Sequence, residues 1–456
     1  MIDLIERFAD LPVLGDSQQE NLRGLVEVSR AFSSDAGIPQ APEVGIGSGT
    51  VVLESGHQPN FLPYSGVWKK AFLLDSLRRE LAAGGRDAVA LFGFSDHILS
   101  TASYLSQNQV PAYRKPGKEN IGFRIPEKDR WKCFHVLGKP PEDQLRREID
   151  KIRRIYAENT GQVKPADPSV QHRLDRVLGT LAECHGRSRS FADWNAFFFS
   201  RLCTEVFGLR LHFFRYSDVF GRGLLLEESR RILSRPRDFS SHLRDAMVRA
   251  GTGAPVNADD ELPFWYHCEC GGKLHLTGTG PEDLHGTCPV CGRDHHVSFG
   301  RDLGSLGASY PRMSPNAIAR NLIFSEGFGT GLFISGTGGG LRYGRVADAV
   351  SEGMGFRRPV TLAWRSADLY LGAVQNRAIL ELMKTFRLDL QDLRDGQVNR
   401  KIGECRGALE RKMKELEGQP VDKKAIQKYR GRYLNSQVQA ETVRNVFSGT
   451  PSFLDV

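Results

Sequence analysis

The sequence predicts an α/β protein, a doubly wound core of alternating strands and helices with a thiol-rich insertion and a helical extension behind it. Three observations carry this. Strand, helix and strand follow one another between residues 51 and 94, the βαβ unit of a parallel sheet, and the same alternation returns after residue 313. Four of the eight cysteines crowd into residues 268 to 291. Strand signals disappear beyond Leu369. The resulting map has an N-terminal helical extension and linker over 1–50 and a first part of the core over 51–225. An insertion follows over 226–312, thiol-rich within 262–300. The second part of the core spans 313–368 and the C-terminal helical extension 369–456.

Each element has its own signal. An amphipathic helix is expected over Gln18 to Phe32, before a Gly/Pro/Ser-rich linker ending near Thr50. Val51 to Leu53 reads as a strand. The turn "GHQPNFLP" follows, and Ser65 reads as the N-cap of a helix whose Val67, Ala71, Leu74 and Leu81 share one face until Gly84-Gly85. "AVALFGF" (88–94) is a continuous apolar run, as in strands covered on both faces. Residues 100 to 185 are mixed and charged and give only loops plus helices such as "EDQLRREIDKIRRIYAE". "SFADWNAFFFSRLCTEVFG" opens with a capping-box-like Ser190/Asp193 spacing, and "LRLHFFRY" is the strand after it. In "SPNAIARNLIFSEGFG" Ser314 reads as a cap with Pro315 at the first helical position. "GLFIS" is then a strand, "GTGGG" a loop, "LRYGRVADAVSEG" a helix and "PVTLAW" a strand.

The long polar helices from Leu369 to Phe447 predict a hairpin or coiled-coil-like appendage. It would pack on the core or form a homodimer. Between Arg400 and Arg432 eleven basic residues stand against five acidic ones, either a solvated face or a dock for an anionic partner.

The gross numbers set limits. A chain of 456 residues suggests two or three domains. A net charge of +8, from 62 basic and 54 acidic residues, permits an anionic substrate without demanding nucleic acid. No apolar run approaches the ~18 residues of a membrane span. The start, "MIDLIERFADLP", has acids where a signal peptide carries a basic region. The expectation is a cytoplasmic protein with no membrane partner. Cys133, Cys184, Cys203 and Cys405 are scattered and read as small core residues.

Three constellations could carry chemistry. Cys268-x-Cys270 and Cys288-x-x-Cys291 are two thiol knuckles whose turns can aim four thiolates at one tetrahedral Zn2+, a closed and therefore structural zinc ribbon. The first knuckle is tight, so His267 or His295 could replace a thiolate. The second constellation lies at the carboxyl ends of two strands, where open α/β sheets bind ligands. There His57, Asp96 and His97 are candidates for proton transfer, with Gly56, Gln58, Asn60 and Ser95 as binding groups. The competing reading is that Asp96 caps a helix and His57 is a satisfied loop histidine. The third is the turn Gly336, Thr337, Gly338, Gly339, Gly340, with Asn316, Tyr343 and Arg345. Its backbone N–H groups would hold a phosphate or carboxylate at a helix N-terminus. It is neither a dinucleotide fingerprint nor a P-loop.

Several blocks in order also resemble the BshC family, the cysteine-adding enzymes of bacillithiol biosynthesis. They are "GHQPNFLPYSGVWKKAFLLDSL", "ALFGFSDHILSTASYL", "DWNAFFFSRLCTEVFGLRLHFFRYSD" and "SPNAIARNLIFSEGFGTGLFISGTGGGLRYGRVADAV". They span residues 51 to 225 and 300 to 367. The resemblance implies a Rossmann-like core, a coiled-coil extension and a ligase that joins an amino acid, cysteine first, to a small amine. ATP or another nucleotide is a candidate cofactor, and the sequence leaves the activation of the carboxylate open. Ser-Asp-His is shorter than the family's acidic run, and neither the zinc-ribbon insertion nor the first fifty residues has a counterpart there. "HQPNFLP" alone is also similar to WbqC-like proteins. Two other readings stand beside the ligase: a non-catalytic zinc-ribbon protein binding RNA or a protein partner, and a sugar- or nucleotide-transferring α/β enzyme.

Overall fold

A computed structural model describes residues 13–111, 118–161, 168–251, 261–336, 339–363, 389 and 398–417. The chain divides into two compact units, one of residues 1–106, 124–140 and 180–366, the other of 107–123, 141–179 and 367–456. The described strands are, in chain order, β1 (Val51–His57), β2 (Ala88–Phe94), β3 (Gln107–Pro111), β4 (Lys118–Gly122), β5 (His212–Arg215), β6 (Glu261–His267), β7 (Lys273–Gly280), β8 (Asp283–Thr287), β9 (Asp294–Val297), β10 (Met313–Pro315), β11 (Thr330–Ser335) and β12 (Val360–Ala363).

The first unit is α/β. Its parallel sheet has the order β12-β11-β1-β2-β5. β2 is buried along its whole length, as a continuous apolar run in a covered parallel strand should be. Alternation along the strands gives the two faces different partners. Phe92, Phe94 and Phe213 meet Phe199 of the helix Phe191–Arg201, and Phe199 stacks on Trp68 of the helix Ser65–Ala83. Val52, Val89, Leu91 and Phe214 belong to a second cluster with Ile318, Leu322, Ile323 and Phe324 of the helix Ala317–Gly327 and Val346 and Val350 of the helix Gly339–Met354. The expected capping box is present: Ser190 Oγ accepts from Asp193 N at 3.0 Å, and an Asp193 oxygen accepts from Ser190 N at 3.2 Å.

The insertion belongs to the same unit and folds as a second, antiparallel sheet, β10-β6-β7-β8-β9. Here the structure corrects a helix start. Ser314 and Pro315 are not a cap and a first helical turn but the edge strand β10, paired with Trp265 and Phe264. The cap is Asn316, whose Oδ1 accepts from Ile318 N at 3.1 Å and Ala319 N at 2.9 Å. The pairing to β6, about fifty residues earlier in the chain, is a long-range contact that the local Ser-Pro signal does not contain. Tyr64 rather than Ser65 stands at the N-cap of Ser65–Ala83. β1 runs on to His57 instead of ending at Leu53, and the first helix spans Asp16–Ala36, longer than Gln18 to Phe32.

In the second unit β3 and β4 form an antiparallel hairpin, whose Gly122 N–H donates to Glu148 of the helix Glu142–Gly161 at 2.7 Å. Of the C-terminal extension, only Asp389 and the helix Val398–Glu417 lie within the described residues, so the expected hairpin and the second part of the basic run, from residue 418 on, fall outside them. No described helix is long and apolar enough to cross a membrane.

Candidate functional site

From β1 the sheet is built outward on both sides, so its order reverses there. β2 follows it on one side, while β11, nearly 280 residues later, pairs on the other. Such a reversal leaves a crevice beyond the strand ends. A cavity of about 670 Å³ opens there, within the range of small-molecule sites. Its wall includes Glu54, Gly56 and His57 from β1, Ser95 after β2, Ser335 at the end of β11 and Gly336 after it. Helices add Lys70, Tyr216, Arg320 and Tyr343.

At the depth of this cavity the charges are arranged around Tyr216. Its ring lies across the ends of β1 and β2, where a Cβ at Gly56 or Gly93 would collide with it. Both strands therefore carry glycine at this level because the tyrosine approaches the backbone closely. The Arg320 guanidinium sits 5.0 Å from the Tyr216 ring centroid and donates to Ser95 Oγ at 3.1 Å. Lys70 Nζ donates to Gly56 O at 3.0 Å. Neither cation forms an ion pair with a described carboxylate. Glu54, 3% exposed, accepts from Thr330 Oγ1 at 2.6 Å through one oxygen. Desolvation pushes its carboxyl up to about 7, against the Thr330 hydrogen bond and the Arg320 charge. Desolvation, with Arg320 nearby, brings Lys70 down to about 8.

The structure brings Gly56, His57, Gln58, Ser95, Gly336 and Tyr343 of the expected residues to this cavity. His57 is not a free base there. Its Nδ1 faces Gln58 O at 3.0 Å and so carries the proton, leaving Nε2 to accept from the Tyr64 hydroxyl at 3.1 Å. Desolvation and then the Lys70 charge push the imidazole down to about 3, so it stays neutral. Asp96 and His97 do not line the cavity. Asp96 is buried and receives the Ser217 N–H at 3.0 Å and the Ser217 hydroxyl, capping the helix Tyr216–Gly221. The His97 ring packs against His135 and His267, at centroid distances of 4.9 and 4.7 Å. The reason is local: the chain turns sharply after Ser95, with Asp96 N bonded back to Phe94 O, so the next two side chains leave the crevice.

Asn60 is buried away from the cavity with neither side-chain polar atom partnered. Asn316 serves the site indirectly, starting the helix that carries Arg320. Arg345 is exposed on its helix, and Gly339 and Gly340 open that helix rather than forming a loop. Thr337 and Gly338 lie outside the described residues. Sequence reasoning passed over Glu54, Lys70, Tyr216 and Arg320. Two of them carried a signal. Glu54 is a carboxyl in the buried stretch of a strand that opens with Val-Val-Leu, and Lys70 lies between Val67 and Leu74 on the buried helix face. A charge in such a place needs a reason.

The four cysteines gather on the β6–β7 and β8–β9 turns of the second sheet. All four sulfurs lie within 4.8 Å of one another, Cys268 to Cys291 at 3.7 Å and Cys270 to Cys288 at 3.5 Å. A tetrahedral zinc with Zn–S of about 2.3 Å needs sulfurs about 3.8 Å apart, so the thiols fit such an ion. The two knuckles are the same device: Cys268 N bonds Gly272 O and Cys288 N bonds Arg293 O, both at 2.9 Å. Gly271 and Gly292 supply the positive φ of 86° and 69° that each turn requires. Neither expected histidine belongs to the cluster, and His267 Nε2 lies 2.8 Å from Ser314 Oγ. The His295 ring meets Tyr266 edge-on at a centroid distance of 5.4 Å. The cluster could hold a metal such as zinc through its four thiols.

No protein-family model matches the chain, and no curated protein matches it.

Proposed function

We propose that the chain is a ligase of the BshC type, joining an amino acid, cysteine first, to a small amine-bearing metabolite in the cavity at the strand ends. The observation that supports this is the convergence, at a switch point large enough for two small reactants, of a buried Glu54 with Lys70 and Arg320, neither of which has a carboxylate partner among the described residues. Carboxylate recognition needs such cations, and Arg suits it through its planar donor fork. In this reading the parallel sheet is a Rossmann-like core and the antiparallel sheet a zinc ribbon around a structural Zn2+. The C-terminal segment is a coiled-coil-like extension. Condensing a carboxylate with an amine needs an energised co-substrate, and ATP or another nucleotide would supply the leaving group that takes the carboxyl oxygen.

The test is direct. Purified chain is incubated with cysteine, other amino acids, a panel of amines including amino sugars, and nucleotides, and condensation products are sought by mass spectrometry. Product with the wild type, reduced at least about a hundredfold in Arg320→Ala at unchanged melting temperature, is the expected result. Absence of product across the whole panel overturns the ligase.

A further inference from the structure

We propose that the cavity binds a small zwitterion, its anionic group held by Lys70 and Arg320 and its primary ammonium group meeting the carboxyl of Glu54. This rests on the same cavity as the ligase reading, but it concerns binding alone. Hydrogen-bonding capacity is left unspent among the groups of this cavity. An ammonium has three donors and a guanidinium five. Lys70 spends one on Gly56 O and Arg320 one on Ser95 Oγ, so both keep donors for a ligand. Glu54 gives one oxygen to Thr330 and engages no other described residue with the second.

Charge then narrows the class. Glu54, Lys70 and Arg320 line the same cavity, and the Arg320 charge acts on both of the others. A simple anion would satisfy the two cations while facing the buried carboxyl. A simple amine would satisfy Glu54 while facing two cations. A molecule with both charges a few bonds apart meets all three without leaving a desolvated group unpaired. Burial already weakens the charged forms, raising Glu54 to about 7 and lowering Lys70 to about 8. The counter-charges of a bound zwitterion would restore both. Towards the mouth, Tyr343 is 57% exposed and Tyr64 also lies open to solvent, leaving room for a side chain or a second reactant.

Calorimetric titration of the full chain distinguishes the possibilities with four probes: cysteine, 3-mercaptopropionate (no amine), cysteamine (no carboxylate) and inorganic phosphate. Glycine and the other amino acids extend the first arm. Binding of at least one amino acid is expected, with loss of either charge weakening it by about tenfold to a hundredfold, the worth of a charged hydrogen bond. Glu54→Gln should weaken cysteine by about tenfold or more and leave 3-mercaptopropionate unchanged or tighter. Lys70→Met should weaken both. Equal affinity for 3-mercaptopropionate or phosphate would make this a plain anion site and overturn the proposal, as would equal affinity for cysteamine or no binding by any amino acid. The wild-type probe series decides the matter even if Glu54→Gln fails to fold. If zwitterions bind as described and no amine is ever condensed, the ligase falls and this site stands. If 3-mercaptopropionate is condensed as well as cysteine, the reverse holds.

Discussion

The thiol cluster draws its four ligands from two turns at most 23 residues apart, each closed by its own backbone hydrogen bonds and its own glycine. The cavity draws Glu54, Lys70, Ser95, Tyr216 and Arg320 from strand ends and helices spread over more than half of the chain. The first region is an assembly of local geometry, and the second exists only once the sheet order is set. They also use their polar groups oppositely. In the thiol turns the backbone donors are matched, whereas at the cavity two cations keep free donors and a carboxyl is desolvated. The first arrangement is what stability selects; the second carries a cost in stability that a ligand can offset.

The largest effect is expected from removing a thiol. Cys288→Ser should abolish metal binding and lower stability by several kcal/mol, on the order of 10 °C in Tm, because structural zinc is folding free energy. Protection from hydrogen exchange should fall across β6 to β9 and survive in β1 and β2. Ligand affinity at the cavity should change less than stability does. Some loosening there is expected, since Lys273 of β7 donates to His97 O at 2.7 Å, two residues beyond the Ser95 that holds Arg320. A metal-free wild type with unchanged melting would remove the structural role of the site.

A second measurement concerns the cost at the cavity. The Glu54 pKa is raised from 4.5 to about 7, so the folded state binds this proton more tightly than the unfolded one. The stabilising contribution is therefore complete below about pH 4.5 and is lost as pH rises through about 7. Glu54→Gln keeps an acceptor for Thr330 and never ionises. At pH 8 it should be more stable than the wild type by about 1–3 kcal/mol, because each tenfold difference in proton affinity between folded and unfolded chain is worth roughly 1.4 kcal/mol. The advantage should vanish near pH 4.5. A variant less stable at pH 8, by denaturant titration at both pH values, would show that the carboxylate is paired and not strained.

Smaller again is the effect expected at Asp96. As the acceptor for Ser217 N–H it caps a short helix that begins with Tyr216, so Asp96→Ala should cost about 1–2 kcal/mol. Loss of cavity binding should follow only through displacement of Tyr216. An unchanged Tm with abolished binding would return Asp96 to the site.

These outcomes follow how much the sequence itself discloses. Alternation of strand and helix, the buried run of β2, the Ser190 capping box and the Cys268 to Cys291 spacing are local patterns, and each is found in the fold. The crevice beyond β1 is also implied by topology, since strand ends at His57, Ser95 and Gly336 must share an edge. What local pattern does not contain is direction. Nothing in "SDH" says that the chain turns at Asp96 and sends its side chain to Ser217. Nothing in "SPN" says that Ser314 pairs with Trp265 while the asparagine begins the helix. Nothing in "SPNAIARNLIF" marks Arg320 until the fold lays its helix against Tyr216.

The smallest effect is expected where the sequence points most strongly to proton transfer. His57 stands at the end of β1, on the cavity wall, which is where a base would be placed. Yet its Nδ1 proton is given to Gln58 O, its Nε2 is occupied by the Tyr64 hydroxyl, and its pKa lies near 3. A positioned general base contributes about a hundredfold to ten-thousandfold, with an optimum pKa near the working pH. A neutral imidazole with both nitrogens engaged can only hold the turn and the tyrosine. His57→Gln should therefore weaken zwitterion binding, and any condensation rate, by no more than about fivefold, the worth of one neutral hydrogen bond. The acidic limb of the pH profile should not move, because a group titrating near 3 is unprotonated throughout the neutral range. Tyr64→Phe should reproduce most of the effect, and the double variant should add little to either. A loss of a hundredfold or more, with a displaced acidic limb, would instead make the histidine the proton acceptor and require Tyr64 to swing away when ligand binds.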